Sequence, residues 1–323
     1  MYKPFYLNLS QDLKKELDGF SKEDIAAGLQ KQCEEIISHC VKYWMTKSKK
    51  LNVKNVCLAG GVFSNVKINQ IVAEMQEVEN VYVFPHMGDG GLPVGSSCYF
   101  NYKLSGQTKI DLPTAYLGPR FSNDEILRCL HSYASGIKYE KLNRKAEAVV
   151  DELMNKKVVG YFCNKMEYGP RALGARSILY HARDDSVNDW LNKRLKRTEF
   201  MPFGPVTPVE YAHMCYKNWT KDDKCSNFMT KTYNCFEEFK KLHKAVVHID
   251  GTARPQIVTK ELNGVYYEIV KLYCDKTNEK ALINTSFNLH EEPIICTPQD
   301  AIKCLLSNCI DVLIIEDYKV YKV

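Results

Sequence analysis

From residue 55 onward the chain alternates short apolar runs ending in glycine with stretches of helical periodicity, and this alternation limits the fold more than any other feature. NVCLAGG at 55–61 reads as a strand running into a Gly-Gly turn, and FSNVKINQIVAEM as the helix behind it. VYVFPH at 81–86 is the next strand, MGDGG a turn, and LPVGSSCYFNY another helix. Strands that hand over to helices through glycine turns specify an α/β layered arrangement. Ahead of them, Ser21 and Asp24 form a capping-box pair. Ile25, Leu29, Ile36, Ile37, Cys40, Val41 and Trp44 then recur at helical spacing to Lys47.

The pattern breaks around residues 104–119, where LSGQTKIDLPTAYLGP brings glycine, proline and polar residues together. This places a domain boundary, with 1–108 on one side and 109–323 on the other. Beyond it, Ser122 and Glu125 make a second capping box, opening a helix to Tyr133, and another helix is expected over 145–155. VVGYFC lies within a strand at 158–163, SILYHA at 177–182 is a strand, and SVNDWLNKRLKR at 186–197 a helix. FMPFGPVTP cannot be helical, and 209–246 gives no clear order. VVHID at 246–250 is expected as a strand, YYEIVKLYCDKT as a helix, KALINTS as a strand, PQDAIKCLLS as a helix and DVLIIEDYKVYKV as a terminal hairpin.

Composition excludes several function classes. A net charge of +5 over 323 residues is too small to argue for nucleic acid. No stretch approaches the roughly 20 apolar residues of a membrane helix, and the N-terminus lacks a secretory pattern. The 13 cysteines include no CxxC pair and often sit in apolar runs, which indicates a reducing, cytoplasmic setting.

The chemistry concentrates in KMEYGPRALGARS at 165–177, which puts Arg171 and Arg176 in a glycine-rich turn directly off a core strand. Lys193, Arg194, Lys196 and Arg197 crowd one helix end, Arg254 lies in HIDGTARPQ, and Asn284, Ser286 and Asn288 follow a strand. Guanidinium forks match phosphate oxygens, and glycine lets backbone N–H groups approach them. Taken singly, each feature has a plain structural explanation: a helix-dipole complement, a salt bridge, a capped turn. Together they suit a nucleoside triphosphate, held without a P-loop. His248 and Asp250 are candidates to orient a substrate.

GYFCNKMEYGPRALGARSIL, LNKRLKRTEFMPFGP, HIDGTARPQ and LINTSFNLHEEPIICTPQDAI, in that order, resemble the C-terminal domain of the O-carbamoyltransferases of the nodulation-factor, cephamycin and tobramycin type. The resemblance implies a YrdC-like twisted-sheet α/β domain that forms carbamoyl-adenylate from carbamoyl phosphate and ATP. It implies that Arg171 and Arg176 hold phosphates, and that Lys196 and Arg197, with Ser286 and Asn288, hold ATP and Mg2+. Arg254 and Asn284 join that nucleotide set. CLAGGVFSNVKIN and PHMGDGGLPVGSS resemble the second half of the family's actin-like (ASKHA) domain. There Gly60, Gly61 and Asn65 match a nucleotide-contacting turn. Asp89 matches a carboxylate ligand of a divalent metal such as Fe2+, and the carbamoyl group passes to a hydroxyl acceptor, a sugar or natural product.

The chain departs from the family in one respect. Its eight histidines include no HxxxH pair, and the resemblance covers nearly all of this chain but about half of the family architecture. The actin-like domain is therefore expected to be incomplete, exposing an apolar face unless a second chain or a second copy covers it. The alternatives are an L-threonylcarbamoyl-adenylate synthase and a non-catalytic nucleotide-binding subunit docked on a partner; nucleic-acid binding ranks below both.

Overall fold

Two strands are enough to start a layer but not to bury one, and the N-terminal region illustrates this. The computed structural model describes residues 10–48, 54–109, 111–196, 202–289 and 292–323. After a short helix Ser10–Glu16, the long helix Lys22–Lys47 opens as the sequence indicates, with Ser21 Oγ accepting from Asp24 N at 3.0 Å. Strands β1 (Asn55–Leu58) and β2 (Asn80–Val83) pair in parallel, joined by the helix Val66–Ala73, and the helix Leu92–Ser105 follows β2. The buried cluster here is small: Leu58, Ile68, Val72, Val83 and Met87, completed by Cys225 from the rest of the chain.

The remainder is organised by one eight-stranded mixed sheet. Its strands are β3 (Ile137–Lys141), β4 (Val159–Phe162), β5 (Arg176–His181), β6 (Gly204–Pro208), β9 (Gln256–Val258), β10 (Leu282–Ser286), β11 (Val312–Ile315) and β12 (Tyr318–Lys322). They lie in the order β3-β12-β11-β4-β5-β10-β6-β9. The short pair β7 (Tyr233–Asn234) and β8 (Thr252–Ala253) stands apart from it.

Period-two alternation sends successive side chains to opposite faces. Leu313 and Ile315 of β11 join one core with Ile178, while Val312 and Ile314 join the other with Leu179. Helices Lys145–Met154 and Val265–Thr277 cover the second face; Asn123–Ser132 and Pro298–Leu306 cover the first. The capping box at Ser122 and Glu125 forms, and a second one at Thr297 and Asp300 opens the Pro298–Leu306 helix. The fold class is α/β, a small two-stranded unit followed by a large mixed sheet.

The proline-rich run is not helical, as expected, while one local expectation changes. The proline-rich run contains β6, and Pro205 is accommodated because it lies before the β9 pairing begins at Val206. VVHID is not a strand. Asp250 Oδ1 accepts from Thr252 N at 3.0 Å and Gly251 sits at φ +76°, so the chain turns there and extends only from Thr252. Among the described residues no helix is long and apolar enough to cross a membrane.

Candidate functional site

The loops leaving β1 and β2 lie at the carboxyl ends of parallel strands, the usual ligand edge of an α/β layer. Gly60, at φ +121°, donates its N–H to Met87 O at 2.6 Å and so ties the two loops together. Gly61 begins a short 3-10 turn, Gly61–Ser64. Asn65 is occupied in capping: its Oδ1 accepts from Lys67 N and Ile68 N, both at 3.2 Å, and its Nδ2 donates to Gln30 Oε1 at 2.6 Å. Asp89 is exposed in the β2 loop, and among the described residues no group of three His, Cys, Asp or Glu assembles around it. One carboxylate alone does not make a donor set for a divalent metal.

The turn between β4 and β5 carries the arginine motif, and its shape is set by Glu167. This buried carboxylate accepts through Oε1 from the N–H groups of Leu173 (2.6 Å), Ala175 (3.2 Å) and Arg176 (3.2 Å). Gly174 sits at φ +99°, and a Cβ there would lie 2.3 Å from the Tyr266 ring. An internal carboxylate thus takes the backbone N–H groups that the sequence suggested for a phosphate.

Arg176 is also spent internally. It is fully buried, with Nη1 donating to the carbonyls of Cys163 (3.1 Å), Asn164 (3.2 Å) and Ala175 (3.0 Å) and Nη2 to Pro119 O (3.3 Å). Its guanidinium stacks 3.6 Å over the Phe162 ring. Where the sequence suggested a phosphate fork, Arg176 in this geometry fastens the turn to the sheet.

Arg171 points the other way. Its Nη2 donates to Ser64 O at 3.1 Å, Tyr168 OH donates to Gly90 O, and Gly169 (φ +132°) passes so close that a Cβ would meet Pro85 O at 3.0 Å. The motif is a bridge, holding both N-terminal loops against the large sheet. Arg254 arrives at the same place from the loop after β8. Among the described residues its side chain has no hydrogen bond or ion pair, and its Nε, like that of Arg171, is buried without a partner. Burial, and then the neighbouring Arg171 charge, push Arg254 well below the usual arginine range. Burial also lowers Arg171. Among the described residues no carboxylate pairs with either guanidinium, which leaves a positive site that suits an anion.

The acid of the HIDGTARPQ loop is already engaged. Asp250 Oδ2 pairs with Lys67 Nζ at 2.9 Å, and its Oδ1 accepts from Thr252 Oγ1 at 2.6 Å. Burial raises its pKa, but these Thr252 and Lys67 contacts outweigh that and hold it at about 2.

The remaining sequence candidates divide. Asn284 is buried, and its Nδ2 donates to Ala172 O (3.0 Å) and Gln256 Oε1 (2.8 Å), while Gln256 Nε2 donates to Leu173 O (2.7 Å). This pair braces the arginine turn from below. Asn288 Nδ2 closes its own loop onto Leu289 O and Glu292 O. Ser286 sits opposite Ser177, at the motif end of the sheet. Lys196 is exposed at φ +57°, past the helix Val187–Arg194, and Arg197 lies outside the described residues. The structure brings together Arg171, Arg254, His248 and the Gly60–Asn65 turn, and links Lys196 to none of them. Glu167, Gln256, Thr252 and Lys67 were missed. Only Glu167 left a signal, an acid inside a glycine turn with several N–H groups to satisfy.

Residues 150–322 match the Carbamoyltransferase C-terminus family and residues 4–98 the Carbamoyltransferase N-terminus family. The chain belongs to the carbamoyltransferase family. It is similar to the uncharacterized protein MJ1058 of Methanocaldococcus jannaschii, at 33% identity over 97% of this chain and 51% of that protein. It is also similar to nodulation protein NolO of Bradyrhizobium diazoefficiens, at 29% identity over 93% of this chain and 54% of that one. This carbamoyltransferase chain thus spans about half the length of the curated relatives it matches. A crystal structure of full-length HypF in its phosphate- and nucleotide-bound form overlaps 58% of this chain and 22% of that one, with TM-score 0.39 and 17% identity, too little to carry an argument.

Proposed function

We propose that this chain is the carbamoyl-adenylate-forming portion of an O-carbamoyltransferase. It would use carbamoyl phosphate and ATP, which enters as its magnesium complex. Transfer to a hydroxyl acceptor, a sugar or natural product, would draw on the other half of the family architecture, in the same or another polypeptide. The observation that carries the reading is the Arg171–Arg254 pair, compensated by no described carboxylate, with Arg171 anchored on Ser64 O in the loop after β1.

The chemistry asks little of the protein beyond placement and charge. Water cleaves the P–O bond of carbamoyl phosphate, giving carbamate and inorganic phosphate. A carbamate oxygen then bonds to the α-phosphorus of ATP as the bond to the bridging oxygen breaks and pyrophosphate leaves. Negative charge builds on phosphoryl oxygens throughout, and fixed guanidiniums in a partly dry site stabilise it without reorganising.

The test is pyrophosphate release from ATP and magnesium with and without carbamoyl phosphate. Release should depend on carbamoyl phosphate and fall ~100-fold or more in Arg171→Ala and in Arg254→Ala. Release that ignores carbamoyl phosphate, or survives both substitutions in folded protein, overturns the reading. Release that instead requires threonine and bicarbonate moves the chain to the threonylcarbamoyl-adenylate synthases.

A further inference from the structure

His248 has its two ring nitrogens in different circumstances. Its Nδ1 lies 3.1 Å from Thr252 Oγ1. The Thr252 hydroxyl has one proton, and the 2.6 Å contact with the Asp250 carboxylate uses it. Thr252 can therefore only accept from His248, which fixes the proton on Nδ1 and leaves Nε2 as a lone pair. Asp250, Thr252 and His248 form a chain of hydrogen bonds that sets the tautomer. Lys67 anchors the far end.

The ring stands beside the arginine site, because Thr252, its hydrogen-bond partner, precedes Arg254 by two residues. Arg254 is close enough that, after burial, its charge is the next largest influence on the imidazole, and the two together hold His248 at about 4, neutral near pH 7. Among the described residues Nε2 has no hydrogen-bond partner and is not sealed from solvent, so its lone pair is open to a ligand. Among the described side chains gathered here, Arg171 and Arg254 offer donors and His248 Nε2 offers an acceptor. A ligand that satisfies both must carry anionic oxygens and, on the same small molecule, an N–H or O–H donor. Inorganic phosphate monoanion supplies the first with a labile proton. An acyl phosphate with a methyl in place of the amide supplies only the first. A carbamoyl group supplies both.

We propose that His248 selects a carbamoyl over an acetyl ligand at the Arg171–Arg254 site, accepting a hydrogen bond from the carbamoyl N–H through Nε2. The ligand class rests on the reading given under Proposed function; the selection itself rests on the tautomer and its neighbours. A methyl in the same place leaves Nε2 desolvated and unpaired, which is the asymmetry that makes such sites discriminate.

The experiment is calorimetric titration of the full chain with carbamoyl phosphate, acetyl phosphate and inorganic phosphate. Wild type should favour carbamoyl over acetyl phosphate ~10-fold or more. His248→Ala should bring that ratio to near one while inorganic phosphate still binds, and His248→Gln, which restores an acceptor, should recover part of it. Should the alanine variant fail to fold, His248→Phe keeps the ring volume without the acceptor and carries the same expectation. The 15N spectrum of His248 should show the Nδ1–H tautomer, and Thr252→Val should weaken both the tautomer preference and the ratio. A wild type indifferent to the acetyl analogue, a ratio that survives His248→Ala or His248→Phe, or an Nε2–H tautomer overturns the proposal. The two readings separate cleanly. Selective binding without pyrophosphate release sinks the adenylating reading alone; carbamoyl phosphate-dependent release without selection sinks this one alone.

Discussion

The two regions of the chain treat their apolar residues in opposite ways. In the mixed-sheet region the helix Val265–Thr277 buries Tyr266, Ile269, Val270, Tyr273 and Cys274 against the sheet. In the N-terminal region neither the 26-residue helix Lys22–Lys47 nor the helix Leu92–Ser105 buries any residue fully. Leu29 (65% exposed), Trp44 (62%), Phe100 (65%) and Leu104 (86%) face outward instead. The sequences are equally helical; what differs is the supply of a surface to pack on. A two-stranded sheet has too little area to cover two long helices. The large sheet is therefore covered on both faces, and the small one leaves large apolar side chains facing outward.

This contrast can be tested, beginning with the largest expected effect. Ile314→Ala, at a fully buried position of β11, should destabilise by about 2–5 kcal/mol in urea unfolding, as core truncations do. A smaller loss would mean the large sheet is looser than its burial suggests.

Acid should weaken the same region next. His243 is fully buried, with Nε2 accepting from Lys280 N at 3.0 Å, and burial lowers it to about 4. Above its unfolded value near 6.5 both states are neutral. As pH falls from about 6.5 to about 4 only the unfolded chain takes up the proton, so stability drops across that window, by up to about 3 kcal/mol. His248 acts in the same direction. Urea midpoints measured across this range should flatten in His243→Gln; an unchanged slope would place the acid sensitivity elsewhere.

The smallest effect should come from the exposed face. Leu29→Ser and Trp44→Ser should each shift monomer stability by no more than about 0.5 kcal/mol. Any self-association seen by sedimentation should nonetheless fall. A large stability loss from either would show that the face is already packed in solution.

Much of the fold could be read because its signals are local. The capping residues Ser21 and Ser122, the glycine turns after β1 and β2, and the β11–β12 hairpin all depend on neighbours in sequence. What escaped depends on distant partners. β3 is a polar IKYEK edge strand, paired with β12. β6 contains two prolines and is a strand because β10 and β9 flank it. The site follows the same division. Arg171 and Arg254 stood out as residue types in motifs, but their meeting required the β4–β5 turn and the loop after β8 to converge. Arg176 looked equivalent to Arg171 in sequence, and only the third dimension shows it bonded to four carbonyls.

Glu167 has a further consequence. Because the arginine turn carries its own anion, the loop is already rigid before any substrate arrives, and the entropy of ordering it is settled during folding rather than at each encounter. A ligand entering beside Arg171 therefore meets a mould already cast. Such a site should bind small anions quickly and with little heat-capacity signature from loop closure. An exchange of Glu167 for a neutral residue would turn a fixed template into an induced one.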